Sequence, residues 1–114
     1  MRSLILLFSV LVIALSSSCN ALEKTPLTEE QQVFAGRWVS NDGTWLHIYN
    51  NGGGDLKTSN KSVEGGKTMF TAEDEFEIGL FGLKKTYKVD KAPYEEDGAM
   101  KMVLNGIVYT KSNF

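Results

Sequence analysis

Residues 36–54, with the sequence GRWVSNDGTWLHIYNNGGG, constrain the fold of this chain more than any other part. In this stretch, short runs of alternating apolar and polar residues are separated by turns that end in glycine. Such runs, bounded by clusters of Asn, Asp and Gly, indicate β-strands joined as hairpins. The stretch therefore predicts a strand–turn–strand–turn–strand order, and it carries no motif that indicates a particular chemistry.

The first turn decides which face of the second strand is core. A two-residue loop would place Val39 on the same face as Leu46. A three-residue loop, residues 41–43, with its final glycine in the left-handed region, places Trp38 opposite Leu46 instead. We expect the longer loop, because it gathers Trp38, Leu46 and Ile48 on one apolar face.

The same register puts three aromatic rings on the outer face of the second strand: Trp45, His47 and Tyr49. Because Trp and Tyr often dominate the binding energy of interfaces, we expect this row to be a contact surface. Two alternatives stay open. The segment around Val33 and Phe34 covers the row, or the hairpin takes the other register.

From Gly36 onwards, turn residues recur roughly every 8–12 residues, which is typical of all-β proteins. The predicted fold of residues 36–114 is a small up-and-down antiparallel β-barrel of about eight short strands. The polar connection Ser59–Gly66, which contains the glycosylation sequon Asn60-Lys61-Ser62, is predicted to be a loop. The predicted strands are 37–40, 44–49, 54–58, 67–71, 75–80, 83–89, 98–104 and 107–111.

Two more turns fix the pairing of neighbouring strands. Asn50-Asn51-Gly52 reverses the chain and places Leu56 opposite Leu46. Asn105-Gly106 is the strongest kind of two-residue hairpin signal, and it pairs the residues directly before and after it.

The strand assignment gives an inward-facing set that consists almost entirely of large residues. Lys85 would also point inward, and a β-bulge near Gly82 is the expected explanation. An eight-stranded barrel is just wide enough for side chains or for one small ligand, so residues this bulky predict a packed core. The inward set is Trp38, Leu46, Ile48, Leu56, Met69, Phe76, Ile78, Leu83, Tyr87, Met100, Met102, Leu104, Ile107 and Tyr109.

Residues 1–18 have the pattern of an export signal peptide. Arg2 supplies the positive start, and Leu4–Leu15 is an apolar run of the usual length. The run is too short for a transmembrane helix, which needs roughly 20 apolar residues. We therefore expect residues 1–18 to be a targeting segment and not part of the fold.

Cys19, the only cysteine, directly follows this segment. A cysteine in that position resembles the lipobox of bacterial lipoproteins, although Ser16 stands where that family prefers Leu. The resemblance implies a diacylated (palmitate-type) Cys19 that anchors the protein to a membrane of the cell envelope, the outer membrane if the organism is Gram-negative. The alternative is cleavage after Ala21, which leaves a secreted or free periplasmic protein.

Residues 19–35 are polar, contain Pro26 and show no clear periodicity, so we expect a tether between the anchor and the barrel. Thr28-x-x-Gln31 has the form of a capping box and indicates a short helix. Val33 and Phe34 would then pack onto the end of the barrel.

Residues suited to catalysis or metal binding are few. His47 is the only histidine, and no G-x-S-x-G motif occurs, so a nucleophile with a histidine base is not indicated. One histidine does not make a zinc site, and the acidic runs lack the spacing of a calcium loop. The glycines of residues 52–54 lack the following helix and Lys-Ser/Thr of a phosphate site. We predict a protein that is not an enzyme and has no cofactor or metal.

Charge and cysteine content narrow the function further. The formal net charge of the chain is −2, and no cluster of basic residues is interleaved with aromatic residues. Both features argue against a nucleic-acid partner. A single cysteine allows no internal disulfide, so stability must come from one hydrophobic core.

Several motifs resemble the lipocalin or calycin pattern. They are Gly36-x-Trp38 at the start of the first strand, the up-and-down hairpins, and a basic residue late in the last strand. The chain is most similar to small bacterial lipocalin-like lipoprotein domains, over about residues 36 to 111. The resemblance implies that Trp38 plugs one end of the barrel and that Lys111 packs over it.

The sequence motifs and the inward-facing residues are consistent with two functional classes. The first is a non-catalytic, membrane-anchored envelope lipoprotein that binds another envelope protein as an accessory, inhibitor or immunity-type factor. The second is a lipocalin-like carrier of a small hydrophobic ligand. The bulky inward set favours protein binding, because it leaves little room for a ligand.

Overall fold

Eight antiparallel β-strands form a closed barrel in the computed structural model, which describes residues 24–112. A short 3₁₀ helix, Glu30–Phe34, precedes the barrel. The strands are β1 (Gly36–Ser40), β2 (Trp45–Ile48), β3 (Gly53–Lys57), β4 (Ser62–Ala72), β5 (Glu75–Leu80), β6 (Leu83–Glu96), β7 (Ala99–Leu104) and β8 (Ile107–Ser112). The all-β barrel predicted from the sequence is confirmed.

Each strand pairs with its neighbours in sequence, and the β1–β8 ladder closes the barrel. In that ladder Trp38 lies opposite Lys111, and Ser40 lies opposite Tyr109. Because the barrel is closed, the edge backbone groups of β1 and β8 bond to each other and do not pair with other chains.

The first two hairpins have the predicted register. Trp38 pairs with Leu46, and Leu46 pairs with Leu56 on its other side. The first loop has three residues, because the backbone N–H of Ser40 donates to the carbonyl of Thr44, and it is closed by Gly43 at φ 88°. The predicted three-residue loop, and the register that follows from it, are confirmed.

Three other hairpins turn on two residues that both have positive φ: Phe81-Gly82, Asp97-Gly98 and Asn105-Gly106. This geometry matches the twist of the flanking strands. The predicted pairing around Asn105-Gly106 is confirmed, since Leu104 lies opposite Ile107.

The barrel interior is filled by large side chains. Nine of them are less than 2% exposed: Trp38, Tyr87, Phe76, Leu46, Ile48, Leu56, Ile78, Met102 and Leu104. The Phe76 and Tyr87 rings stack with their centroids 5.1 Å apart, and Phe70 lies 5.3 Å from Phe76. Protein interiors filled in this way are close-packed. The predicted packed core is therefore confirmed.

Two strands are longer than predicted. The segment predicted as a loop, Ser59–Gly66, contains the start of β4, and Val63 is buried there opposite Leu56. Strand β6 continues past Val89 to Glu96 through two irregularities in its pairing with β7. Bulges let a strand with a polar sequence stay in the ladder, and the alternation rule does not anticipate them.

Three members of the predicted inward set are not core. Met69 is exposed because its neighbour Thr68, opposite Ile78, takes the inward position. Leu83 and Ile107 have inward phase but lie next to hairpin turns at one end of the barrel, so they are also exposed.

The bulge predicted near Gly82 is also wrong. Strands β5 and β6 pair without interruption from Glu75 and Lys88 to Leu80 and Leu83. Lys85 does lie opposite the buried Ile78, but it is only half-buried. Its Nζ lies 5.5 Å from the centroid of the Tyr87 ring.

The segment before β1 is part of the folded unit from Leu27 onwards. Thr28 and Gln31 exchange side chain–backbone hydrogen bonds, as the capping box predicts. Phe34 is buried against Phe70 and Phe76 at the end of the barrel, whereas Val33 is exposed. The packing predicted for Phe34 is confirmed, and that predicted for Val33 is wrong.

Candidate functional site

The outer face of β1–β3 holds the three aromatic residues singled out from the sequence. On this face His47 lies between Arg37 of β1 and Asp55 of β3, each directly opposite in its ladder. Because positions two apart on a strand share a face, Trp45 and Tyr49 flank His47 along β2. We call these five residues the β1–β3 surface.

Contacts within the β1–β3 surface order its side chains. The guanidinium carbon of Arg37 lies 4.0 Å from the centroid of the Trp45 ring, which is a cation–π arrangement. The rings of His47 and Tyr49 stack with centroids 4.1 Å apart and planes 6° apart. The Tyr49 hydroxyl donates to Oδ2 of Asp55 at 2.7 Å.

The ionisable groups of this surface have shifted pKa values. Partial burial lowers the pKa of His47, an effect that nearby Asp55 opposes and Arg37 reinforces. The hydrogen bond from its hydroxyl to Asp55 raises the pKa of Tyr49. The two shifts favour the uncharged forms of the His47 imidazole and the Tyr49 phenol.

The β1–β3 surface is accessible. Tyr49 is 40% exposed, and Trp45 and His47 are half-buried. Phe34 points into the barrel and Val33 points to solvent, so neither side chain covers the row. The other register is excluded by the pairing of Trp38 with Leu46, whereas Gln32 of the N-terminal segment lies beside His47 and Tyr49 at the edge of the row.

Gly36, Trp38 and Lys111, the residues that carry the resemblance to lipocalins, meet where the barrel closes. Nζ of Lys111 lies 5.8 Å from the centroid of the Trp38 ring. Gly36 has φ 125°, and a Cβ added there would come within 2.6 Å of Cε of Lys111. The resemblance implied that Lys111 packs over Trp38, and the structure brings these two residues together in that way.

Two members of the β1–β3 surface, Arg37 and Asp55, were not singled out from the sequence. The sequence contained enough information to find them, because the predicted register places both residues beside His47. At an interface, the aromatic rings supply apolar contact area, and charged residues beside them fix the orientation of the partner.

Other chemical groups are sparse in the part of the chain that the structure describes. Within residues 24–112, no group of three or more His, Cys, Asp or Glu side chains is placed to hold a metal ion. No helix in the same range is long and apolar enough to cross a membrane. Cys19 and the predicted signal segment, residues 1–18, lie outside the described residues.

A polar cluster at the β1–β2 turn was not anticipated. The hydroxyls of Ser40 and Thr44 both bond to Oδ1 of Asp42, and the Thr44 backbone N–H donates to the same oxygen. These bonds lower the pKa of Asp42 to about 2. A carboxylate with so low a pKa is a weak base for the two hydroxyls, and the cluster serves to close the turn.

Comparison of the chain with models of known families, with curated proteins and with solved structures found no match.

Proposed function

We propose that this protein is a non-catalytic lipoprotein of the bacterial cell envelope. In this proposal a lipocalin-like barrel, attached to a membrane through acylated Cys19, binds another envelope protein. It acts on that protein as an accessory, inhibitor or immunity-type factor. The β1–β3 surface is the contact site.

The observation that carries the proposal is the ordered aromatic row on the outside of β2. Trp45, His47 and Tyr49 are held by stacking and by a hydrogen bond, so little side-chain entropy is lost when a partner packs on them. Rigid aromatic and arginine side chains are the residues that most often dominate binding energy at interfaces.

The filled interior argues against a carrier of small hydrophobic ligands. Trp38, Phe76 and Tyr87 fill the barrel interior and are almost fully buried. A ligand would have to displace them from a close-packed core, which costs several kcal/mol per large side chain, roughly the 3–5 kcal/mol of removing one. The outer surface is therefore the better candidate.

The proposed anchor depends on Cys19. Mass spectrometry of the protein extracted from membranes tests it directly, and Cys19→Ala is the matching variant. We expect the parent protein to begin at an acylated Cys19 and to stay in the membrane fraction through a high-salt wash, which releases the variant. A mature protein that begins at Leu22 and carries no acyl chain would contradict the anchor.

The proposed contact site is tested by Trp45→Ala combined with Tyr49→Ala. We expect this double variant to melt within a few degrees of the parent, since both side chains lie outside the core, and to lose most of its co-purifying partner. Tyr94→Ala is a matched control, because Lys91 Nζ lies 3.9 Å from the Tyr94 ring in a similar outward pair on β6.

Two results would contradict the proposed site. One is a double variant that remains folded and captures the partner as well as the parent does. The other is a large loss of thermal stability, which would place the row in the core.

A further inference from the structure

The hairpin that joins β5 to β6 carries an unusual residue at its tip. The other two-residue turns of this type begin with Asp97 and Asn105, residues that tolerate positive φ well. The third begins with Phe81 at φ 51°, where a bulky side chain is a genuine outlier. Phe81 is also 83% exposed, so the strain is not offset by burial in the core. Strained residues of this kind point to a function.

Phe81 is part of an exposed apolar patch. Leu80, Leu83 and Met69 are 36%, 46% and 45% exposed, and all line one shallow cleft with Phe81. The cleft measures about 190 Å³. Pockets for small ligands are larger, roughly 300–1,000 Å³, so the patch is better suited to a surface that lies over it. Contiguous exposed apolar patches mark sites of contact with proteins or membranes.

Basic residues surround this patch. Three lysines line the same cleft, Lys24, Lys67 and Lys84, against one carboxylate, Glu77, which pairs with Lys84 at 3.5 Å. The chain as a whole has a net charge of −2, so the positive charge here is local. An exposed apolar tip beside a cleft lined by lysines has the composition that binds anionic lipid.

The N-terminal segment runs towards this same cleft. The backbone N–H of Leu27 donates to the carbonyl of Asn50 at 2.9 Å, and Thr25 packs directly on Gly52. From there the chain reaches Lys24 at the cleft. Cys19 is five residues earlier in the sequence, and five residues span at most about 18 Å. A membrane that holds Cys19 is therefore close to the patch.

We propose that the β5–β6 hairpin tip docks on the anionic phospholipid surface of the membrane, with Phe81 inserted between the headgroups and the surrounding lysines on the lipid phosphates. The inference rests on the membrane-anchored location in the proposed function. Docking of this kind adds a second contact to the lipid anchor and holds the barrel in one orientation on its tether.

The test uses a chain that begins at Asn20, which lacks the anchor but retains the complete barrel and every core residue from Leu27 to Tyr109. It is sedimented with vesicles of phosphatidylcholine, with and without phosphatidylglycerol. We expect binding that grows with the fraction of phosphatidylglycerol and decreases as salt is added, because salt screens exposed charges.

Two variants separate the apolar and electrostatic contributions. Phe81→Asn introduces the residue that this turn favours, so we expect a melting temperature at or above that of the parent together with about tenfold or more weaker vesicle binding. Lys84→Gln is expected to weaken binding about fivefold. Val33→Ser is the matched control, since Val33 is 54% exposed on the 3₁₀ helix at the opposite end of the barrel.

Several results would overturn the inference. They are a parent chain that does not bind phosphatidylglycerol vesicles, a folded Phe81→Asn variant that binds as well as the parent, and an equal loss in Val33→Ser. If the parent chain does not bind these vesicles, the occupant of the patch is a protein and not a membrane. Because this chain lacks Cys19, its vesicle binding is independent of acylation, and a failed anchor is detected separately by the mass of the membrane-extracted protein.

Discussion

Lys111 lies across the Trp38 ring at the ladder that closes the barrel, with its Nζ 5.8 Å from the ring centroid. Gly36 leaves the space that the lysine side chain occupies. The indole Nε1 of Trp38 donates to the carbonyl of Phe34 at 2.9 Å, which ties the 3₁₀ helix to the barrel. Trp38 therefore joins three parts of the chain: β1, β8 and the segment that caps the barrel.

Trp38→Ala should leave the protein marginally stable or unfolded. Truncation of a buried Trp costs roughly 3–5 kcal/mol, and whole domains are stable by roughly 5–15 kcal/mol. Trp38→Phe retains most of the packing and loses the hydrogen bond, so we expect a smaller loss that includes about 0.5–1.5 kcal/mol for that bond. Denaturant unfolding measures both. A midpoint for Trp38→Ala close to that of the parent would contradict the core described here.

Gly52→Ala should detach the N-terminal segment from the barrel. Gly52 has φ 90°, and an added Cβ would lie 2.0 Å from the carbonyl oxygen of Thr25. Gly43→Ala is a matched control, because Gly43 has φ 88° in a turn of the same length with nothing within 4 Å of the added Cβ. Both variants share the backbone strain, of the order of 1 kcal/mol.

The difference between these two variants isolates the contact with Thr25. We expect Gly52→Ala to melt at a lower temperature than Gly43→Ala and to show faster hydrogen exchange at the amide of Leu27. Equal melting temperatures and equal exchange in the two variants would show that the segment is not held against Gly52.

Asp42 should make stability depend on pH in the acid range. Its hydrogen bonds, first from Ser40 and then from Thr44, lower its pKa in the folded protein from 3.8 to about 2. A carboxyl with a depressed pKa stabilises the fold above its unfolded pKa, and this contribution is lost as pH falls through the folded value. The affected window is therefore between about pH 4 and pH 2.

The variant Asp42→Asn removes this titration. Its melting temperature, followed over that window, should fall less steeply with decreasing pH than that of the parent. Parallel curves for the two proteins would show that the Asp42 carboxylate is not held by the turn.

The fold was largely predictable because its central hairpins use strong local signals. The glycine-ended turns at Gly43 and Gly52, and the alternation that buries Leu46 and Ile48, agree with one another on a single register. A one-residue slip would have exposed the whole apolar set, so the sequence specifies this register strongly.

The parts that were missed are those in which the residue types do not indicate the local structure. Val63 is an isolated apolar residue in a polar, glycine-containing stretch, and only its pairing with Leu56 places it in a strand. The polar end of β6 stays in the sheet because bulges adjust its pairing with β7. Phe81-Gly82 was not recognised as a turn of the same type as Asn105-Gly106, because Phe is rare at positive φ.

The candidate site was predictable only in part. Alternation along β2 was enough to place Trp45, His47 and Tyr49 on the outer face. The stacking of His47 on Tyr49, and the hydrogen bond from Tyr49 to Asp55, depend on side-chain rotamers that a sequence pattern does not specify.

The most direct test of the central claim, that the β1–β3 surface binds an envelope protein, is site-specific photo-crosslinking in intact cells. A photoreactive phenylalanine analogue is placed at Tyr49 in one strain and at Tyr94 in another. We expect a discrete crosslinked protein from position 49 and none from position 94. Crosslinking from position 94 alone, or the same products from both positions, would contradict the claim.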